Sequence, residues 1–278
     1  VRTELSRAQE KYEKLGAEIA AAENAEEQKI AADNLMTYQY NYVDHADDAI
    51  TVTNIYSETG EALTIPLDRR LSIIQNMQAY YKKYDKLKRA QKLLAVQQDA
   101  CRANIRHLES IEASLDSSTR LAEIAEIQEE LIASGYLHEK MPKKNKDRRA
   151  QPFSFTAPDG MTILVGKNNI QNDALTFRTA APTDLWLHVR DIPGSHVILR
   201  TGGAAPSEET LHLAAQIAAH FSKARGSSTV PVDYTAIRFV KKTSGSVPGF
   251  VRFTHEKTLF VTEDEEALAP ILAQDPAI

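Results

Sequence analysis

Residues 184–197 read Asp-Leu-Trp-Leu-His-Val-Arg-Asp-Ile-Pro-Gly-Ser-His-Val. They hold the only tryptophan, Trp186, and two histidines, His188 and His196, on either side of a Pro193-Gly194 turn. An indole, two imidazoles and Arg190 can stack on unpaired bases or hydrogen-bond phosphate. The two histidines, with Asp184 and Asp191 beside them, could instead hold a metal. A structural reading is open too, with Trp186 in a core, both imidazoles satisfied internally and Pro193-Gly194 as a tight turn. Ser195 lies next to His196, but neighbours in sequence seldom form a nucleophile–base pair. No Gly-x-Ser-x-Gly elbow is present. The expectation is a binding module, not an enzyme, with no cofactor.

A second run, Gly166-Lys-Asn-Asn-Ile-Gln-Asn-Asp173, gathers four amides, Asn168, Asn169, Gln171 and Asn172, beside Lys167. Amides and a lysine can read base edges or phosphate. They can equally cap a turn through side-chain-to-backbone bonds. Nothing in the run makes a P-loop. A third feature is the pair Lys241-Lys242, which enters the loop Thr-Ser-Gly-Ser-Val-Pro-Gly249. Such a loop suits a phosphate backbone, or is simply a solvated hairpin. A fourth is the linker 138–150, with Lys143, Lys144, Lys146, Arg148 and Arg149. Its like charges and Pro142 argue against packed structure there.

These features need elements to hold them. Val1, Leu5, Ala8, Tyr12, Leu15, Ile19 and Ala22 follow heptad steps, and Glu26 breaks the run. The pattern predicts a helix to about Tyr42 with one apolar seam. Ile50–Tyr56 and Ala62–Ile65, either side of Ser57-Glu-Thr-Gly60, predict a hairpin closed by Pro66. Ser72-Ile-Ile-Gln75 is a capping box opening a second long helix, whose seam runs from Tyr84 through Leu87, Leu94, Cys101 and Leu108. Asp116–Thr119 should break that helix and cap a shorter one, ended by Gly135.

From Phe153 the pattern becomes short strands, at 153–156, 161–165, 175–179, 185–189 and 196–200. A helix capped by Ser207 follows, with Lys223 and Arg225 in its last turn and Gly226 ending it. Three more strands are expected around 233–240, 250–254 and 258–261. The predicted fold class is α+β. It comprises a long antiparallel coiled-coil arm with a small β-hairpin (1–137), the basic linker (138–150), a mixed antiparallel-sheet module (151–265) and a tail (266–278).

The chain has 278 residues, enough for two domains, and a net charge of −5. The sign is uneven. Residues 1–137 hold 16 Lys and Arg against 23 Asp and Glu, whereas residues 151–262 hold 11 against 8. A basic linker and a mildly basic module favour a polyanionic partner, RNA first. One cysteine, Cys101, excludes an intrachain disulfide. No apolar run is long enough to span a bilayer, so no membrane insertion is expected. The first residue is Val1, which suggests a piece of a longer protein.

The sequence resembles the C-terminal half of the NFACT family, which includes bacterial ribosome quality-control factors and bacterial proteins labelled fibronectin-binding. The carrying residues are Asp184-x-Trp186-x-His188 with Pro193–Val197, Gly166–Asp173, Val232-Asp-Tyr-Thr235, Lys241-Lys242, Pro248-Gly249 and Lys257-Thr258. In the arm they are Ile65–Asp68 and Tyr81–Lys86. The resemblance covers nearly the whole chain. It implies a coiled-coil middle domain followed by an RNA-contacting module. It also implies that the whole protein binds the large (50S) ribosomal subunit, with its rRNA, carrying a stalled peptidyl-tRNA. There it would recruit alanyl-tRNA for untemplated C-terminal tailing, in the cytoplasm. This part would bind without tailing activity of its own. The alternative it implies is a surface adhesin for fibronectin. The family has proline after the lysine pair and Ala-Lys before Pro-Gly. Here Thr243, Ser246 and Val247 differ, and one positive charge is missing.

Overall fold

The structure, a computed structural model, describes residues 1–42, 47–139, 150–242, 245 and 247–275. The chain divides into two compact units, Ser6–Asn104 and Val1–Leu5 with Ile105–Ile278.

In the first unit, helices α1 (Arg2–Ala21) and α2 (Ala25–Tyr38) run against the N-terminal part of α3 (Ile73–Ser117). Gln91 Nε2 donates to the Ala22 carbonyl at 2.7 Å, and Cys101 Sγ lies 3.2 Å from the Ala8 carbonyl. Residue numbers rise along one helix of the pair as they fall along the other, so the pairing is antiparallel and within the chain. Leu5, Ala8, Leu15 and Ala22 are buried, and so is Cys101 across the seam. The expected single helix is interrupted by a 3₁₀ turn at Ala22–Asn24 and stops at Tyr38. The heptad fails at Glu26 because that turn shifts the phase of the helix. Ser72 caps α3 as expected, its Oγ accepting from Gln75 N at 3.2 Å while Gln75 Oε1 accepts from Ser72 N at 2.9 Å. Strands β1 (Ala49–Thr53) and β2 (Ala62–Pro66) pair antiparallel, with Ile50 opposite Ile65. Their inner faces join Leu35 and Ile73 in a local core.

The second unit is built on a six-stranded sheet, in which every pairing is antiparallel. The strands are β3 (Phe153–Thr156), β4 (Thr162–Val165), β5 (Leu185–Val189), β6 (Val197–Arg200), β7 (Val230–Ala236) and β10 (Lys257–Val261). Their order is β10-β7-β5-β6-β4-β3. Helix α6 (Glu208–His220) lies on one face. Its Ala214, Ala215, Ala218 and Ala219 are fully buried, and their small size lets the helix sit close on Leu187, Val189 and Val232. Strand alternation sends Trp186 and His188 to the opposite face. There Trp186 joins Leu175, Ile198, Ile237 and Val240 in a smaller core. A two-stranded ribbon, β8 (Val240–Lys242) and β9 (Val251–Phe253), covers it.

Several local expectations are corrected. Residues Leu175–Thr179 form a π-helical turn that continues α5 (Asn169–Ala174), not a strand. Asn168 caps α5 by accepting from Gln171 N at 2.9 Å, and Thr176 Oγ1 back-bonds to the Asn172 carbonyl at 2.8 Å, so helix outcompetes the β-like composition. Helix α6 ends at His220, before Lys223, Arg225 and Gly226. Helix α4 (Leu121–Ala133) is capped at Arg120, where Glu123 accepts from the Thr119 and Arg120 amides at 3.0 and 3.2 Å. The expected tail contains α7 (Glu265–Leu272), whose Leu268 and Ile271 enter the main core. Asp264 caps it, and Gln274 clasps the backbone of Thr156.

Candidate nucleic-acid interface

The amide run is buried against α4, not presented to solvent. Glu123, Glu126 and Glu130 share one face of α4 and are buried, while Leu121 and Ile124 on the same helix are exposed. A carboxylate left alone in such a place would cost several kcal/mol, and each has partners. Lys167 Nζ reaches Glu123 Oε1 at 3.0 Å. Asn168 Nδ2 and Gln171 Nε2 donate to Glu126 Oε2 at 2.7 and 2.8 Å. Asn169 Nδ2 donates to Glu130 Oε1 at 2.9 Å, and His107 Nε2 lies 2.9 Å from the same oxygen. Burial alone would raise the Glu123 carboxyl, but the Thr119 and Arg120 amides and Lys167 hold it below its ordinary value. The expectation of RNA contacts is therefore corrected for Lys167, Asn168 and Gln171, whose side chains are spent on Glu123 and Glu126 inside the fold. Asn169 and Asn172 are buried and hydrogen-bonded too, but they line the cavity described below.

His196 ties three of the sequence motifs together. Its amide donates to Asn172 Oδ1 at 3.0 Å, and its Nδ1 lies 2.8 Å from Thr176 Oγ1. Its ring also bonds to the backbone of Gly249. Burial, reinforced by the neighbouring His188, pushes the His196 imidazole down to about 3. His188 is shifted down as well, chiefly by burial. Both rings are neutral near pH 7. Gly249 has φ +80°, and a Cβ there would meet Asn169 Oδ1 at 2.6 Å. Pro193, Gly194 and Ser195 pack on the end of α6. Ser195 N donates to the Phe221 carbonyl at 2.9 Å, and a Cβ on Gly194 would meet Ser222 Cβ at 2.8 Å. Asp184 is buried and pins its own turn, accepting from Ala181 N at 2.8 Å and Thr201 N at 3.1 Å. Asp184, Pro193, Gly194, Ser195 and His196 thus frame a site rather than forming its reactive surface.

The site they frame is a cavity of about 210 Å³, lined among others by Trp186, His188, Arg190, His196 and Phe250. Trp186, His188 and Arg190 are alternate residues along β5 and just beyond it, so they lie in a row on one face. Trp186 is buried, His188 is half-buried and Arg190 is exposed. The Trp186 and His188 rings stack at 5.6 Å and 13°. Arg190 grips Asp233 through two bonds, 3.0 and 2.7 Å, and Thr258 Oγ1 donates to the same carboxylate at 2.7 Å. Asp233 and Thr258 thereby aim the guanidinium at the cavity mouth. Sequence reasoning flagged Val232–Thr235 and Lys257-Thr258 without assigning them this role.

Lys241 and Lys242 are both exposed on β8. Lys242 is paired with Asp173 at 2.7 and 2.8 Å. Lys143, Lys144, Lys146, Arg148 and Arg149 lie outside the described residues. Among the described residues, no group of three or more His, Cys, Asp or Glu side chains could hold a metal ion, and no helix is long and apolar enough to cross a membrane.

Residues 1–150 match the family model of the NFACT N-terminal and middle domains, and residues 151–253 match that of the NFACT protein RNA binding domain. The Rqc2 homolog RqcH of Bacillus subtilis is 40% identical over 261 residues, covering 93% of this chain and 45% of that protein. The Rqc2 homolog RqcH of Streptococcus suis is 42% identical over 269 residues, covering 96% and 48%. The chain spans about half the length of the curated relatives it matches. It is also similar to a solved structure, the C-terminal of the fibronectin/fibrinogen-binding protein from Streptococcus suis. That likeness has 37% identity and a TM-score of 0.74 over 97% of this chain and 94% of that one. The chain belongs to the NFACT family.

Proposed function

We propose that this chain is the RNA- and ribosome-binding part of a ribosome quality-control factor. It docks on the large (50S) subunit carrying a stalled peptidyl-tRNA. In the whole protein it supports recruitment of alanyl-tRNA for C-terminal tailing, at ribosomes in the cytoplasm. Its own contribution is binding, not chemistry. The observation that carries the reading is the row Trp186–His188–Arg190. Two stacked rings lead from a buried floor to a guanidinium at the mouth of a cavity. Flat rings suit an unstacked base and a guanidinium suits its phosphate. The match of residues 151–253 to an RNA-binding domain supports the same reading.

The test is sedimentation of the chain with isolated 50S subunits at low and moderate salt, with His188→Ala beside it and thermal melts confirming its fold. Co-sedimentation should weaken by about one power of salt per phosphate contact. His188→Ala should weaken it further in a chain that still unfolds cooperatively, with only the modest drop in melting temperature expected from losing the stack on Trp186. Absence of co-sedimentation at low salt would sink the proposal. The name of the solved Streptococcus suis structure favours a second reading, capture of fibronectin. Retention on immobilised fibronectin without any 50S binding would select it.

A further inference from the structure

We propose that the outer face of the β8–β9 ribbon, with the turn entering β10, is a second contact for single-stranded RNA. A base stacks on His255, backed by Phe239, while Arg238, Lys241 and Arg252 hold phosphates. The proposal rests on the RNA-binding reading above.

The ribbon register pairs Val240 with Phe253, Lys241 with Arg252 and Lys242 with Val251. Val240, Val251 and Phe253 pack with the Trp186 core. Alternation therefore puts Lys241 and Arg252 on the opposite face, and both are exposed. Like charges directly across a ladder destabilise it. Asp173 relieves Lys242, but among the described residues no ion pair joins Arg238, Lys241 or Arg252 to a carboxylate. An arrangement that costs stability in the free protein fits an anion brought by a partner.

The rings beside these cations narrow the class of anion. Phe239 immediately precedes β8, and His255 follows β9 by two residues. Their rings stack at 4.3 Å and 24°, and the Arg238 guanidinium carbon lies 4.9 Å from the Phe239 centroid. His255 is exposed and held at φ 59°, a left-handed conformation that a non-glycine residue adopts at a cost. The turn that holds it is anchored to β7, where Thr235 Oγ1 donates to the Thr254 carbonyl at 2.9 Å. An exposed His255 ring, backed by the half-buried Phe239 and set among unneutralised cations, matches a strand whose bases are free to stack. A duplex keeps its base faces covered, and an acidic protein segment would use the cations but not the rings.

The test is fluorescence anisotropy of the full chain with a labelled single-stranded RNA, a hairpin duplex of equal composition and an acidic peptide. The variants are Lys241→Gln/Arg252→Gln and Phe239→Leu/His255→Gly, each checked by thermal melting. Wild type should prefer the single strand. The charge variant should reduce the salt slope by about two. The ring variant should lower single-strand affinity roughly tenfold without changing that slope. If wild type binds single-stranded RNA and both variants match it, this surface is overturned while the RNA-binding reading stands. If wild type binds no RNA, both fall. If only the charge variant loses binding and the acidic peptide competes equally, the partner is an acidic protein and this proposal fails.

Discussion

Lys167 Nζ lies 3.0 Å from Glu123 Oε1, and neither side chain is more than 5% exposed. The ammonium also sits 3.9 Å from the centre of the Phe153 ring. This buried pair fastens the loop after β4 to α4, and so helps set the motifs that follow. Removing one partner leaves the other charge buried and unmatched. Lys167→Met should cost about 3–5 kcal/mol, while Lys167→Met/Glu123→Gln, which keeps an acceptor for the Thr119 and Arg120 amides, should recover much of that loss. Urea denaturation of the two variants provides the comparison. A single mutant no less stable than the double would show that the pair is not what holds the loop.

The neutral state of His196 makes acid the sensitive direction. Its value is pushed from an ordinary 6.5 down to about 3 in the folded chain. The unfolded chain therefore takes up the proton first, so stability is full above about pH 6.5 and is lost as pH falls toward 3. The slope should be ~1.4 kcal/mol per pH unit for this one group. Glu123, whose value is lowered, adds a loss in the same direction only below its ordinary carboxylate range. Unfolding measured between pH 7.5 and 4.5 should steepen below 6.5. His196→Asn should be less stable at pH 7.5 yet take up about one proton fewer on unfolding. An unchanged pH profile in that variant would contradict the assignment.

Two glycines with the same backbone sign separate strain from crowding. Gly160 has φ +82° and open space within 4 Å of where a Cβ would stand, whereas Gly249 has φ +80° and would press on Asn169. Gly160→Ala should cost only the left-handed penalty, about 1–2 kcal/mol. Gly249→Ala should cost clearly more, because Asn169 must release Glu130 and Ser110, its partners at 2.9 and 2.7 Å. Paired thermal melts decide it, and equal losses would mean that Asn169 gives way freely.

The elements were most legible where burial follows local period. The coiled-coil seam is of this kind, since Leu5, Ala8 and Leu15 are buried by a helix that needs only another apolar stripe. The Ser72 cap is equally local. The amide run was misleading because its partners are remote. Asn168 meets Glu126 and Asn169 meets Glu130 across 42 and 39 residues, and nothing in the run itself shows a carboxylate waiting. One sign was readable. Glutamates at 123, 126 and 130 recur at helical spacing on a helix whose Leu121 points outward, an inversion of the usual pattern. The residue types of the site were visible in 184–197, but not that His196 and Asp184 serve as fasteners while His188 and Arg190 face the opening. That division follows from strand alternation combined with the loops that pack over one end of β5.

Because Trp186 is the only tryptophan, its fluorescence reports on the cavity floor and on the inner face of the β8–β9 ribbon, away from Lys241 and Arg252. Its ring is 1% exposed and in contact with His188, His196 and Phe253. Emission from the free chain should be blue-shifted and resist quenching by iodide, as expected for a buried indole. RNA that enters the cavity should change that emission in proportion to occupancy. The change should be lost in His188→Ala at concentrations that saturate wild type. RNA held only on the β8–β9 ribbon should leave emission nearly constant while anisotropy of the labelled strand still rises. Simultaneous titration by the two signals therefore separates the two surfaces in one experiment. An emission change that survives His188→Ala and vanishes in Lys241→Gln/Arg252→Gln would show that the ribbon, and not the row along β5, governs access to Trp186.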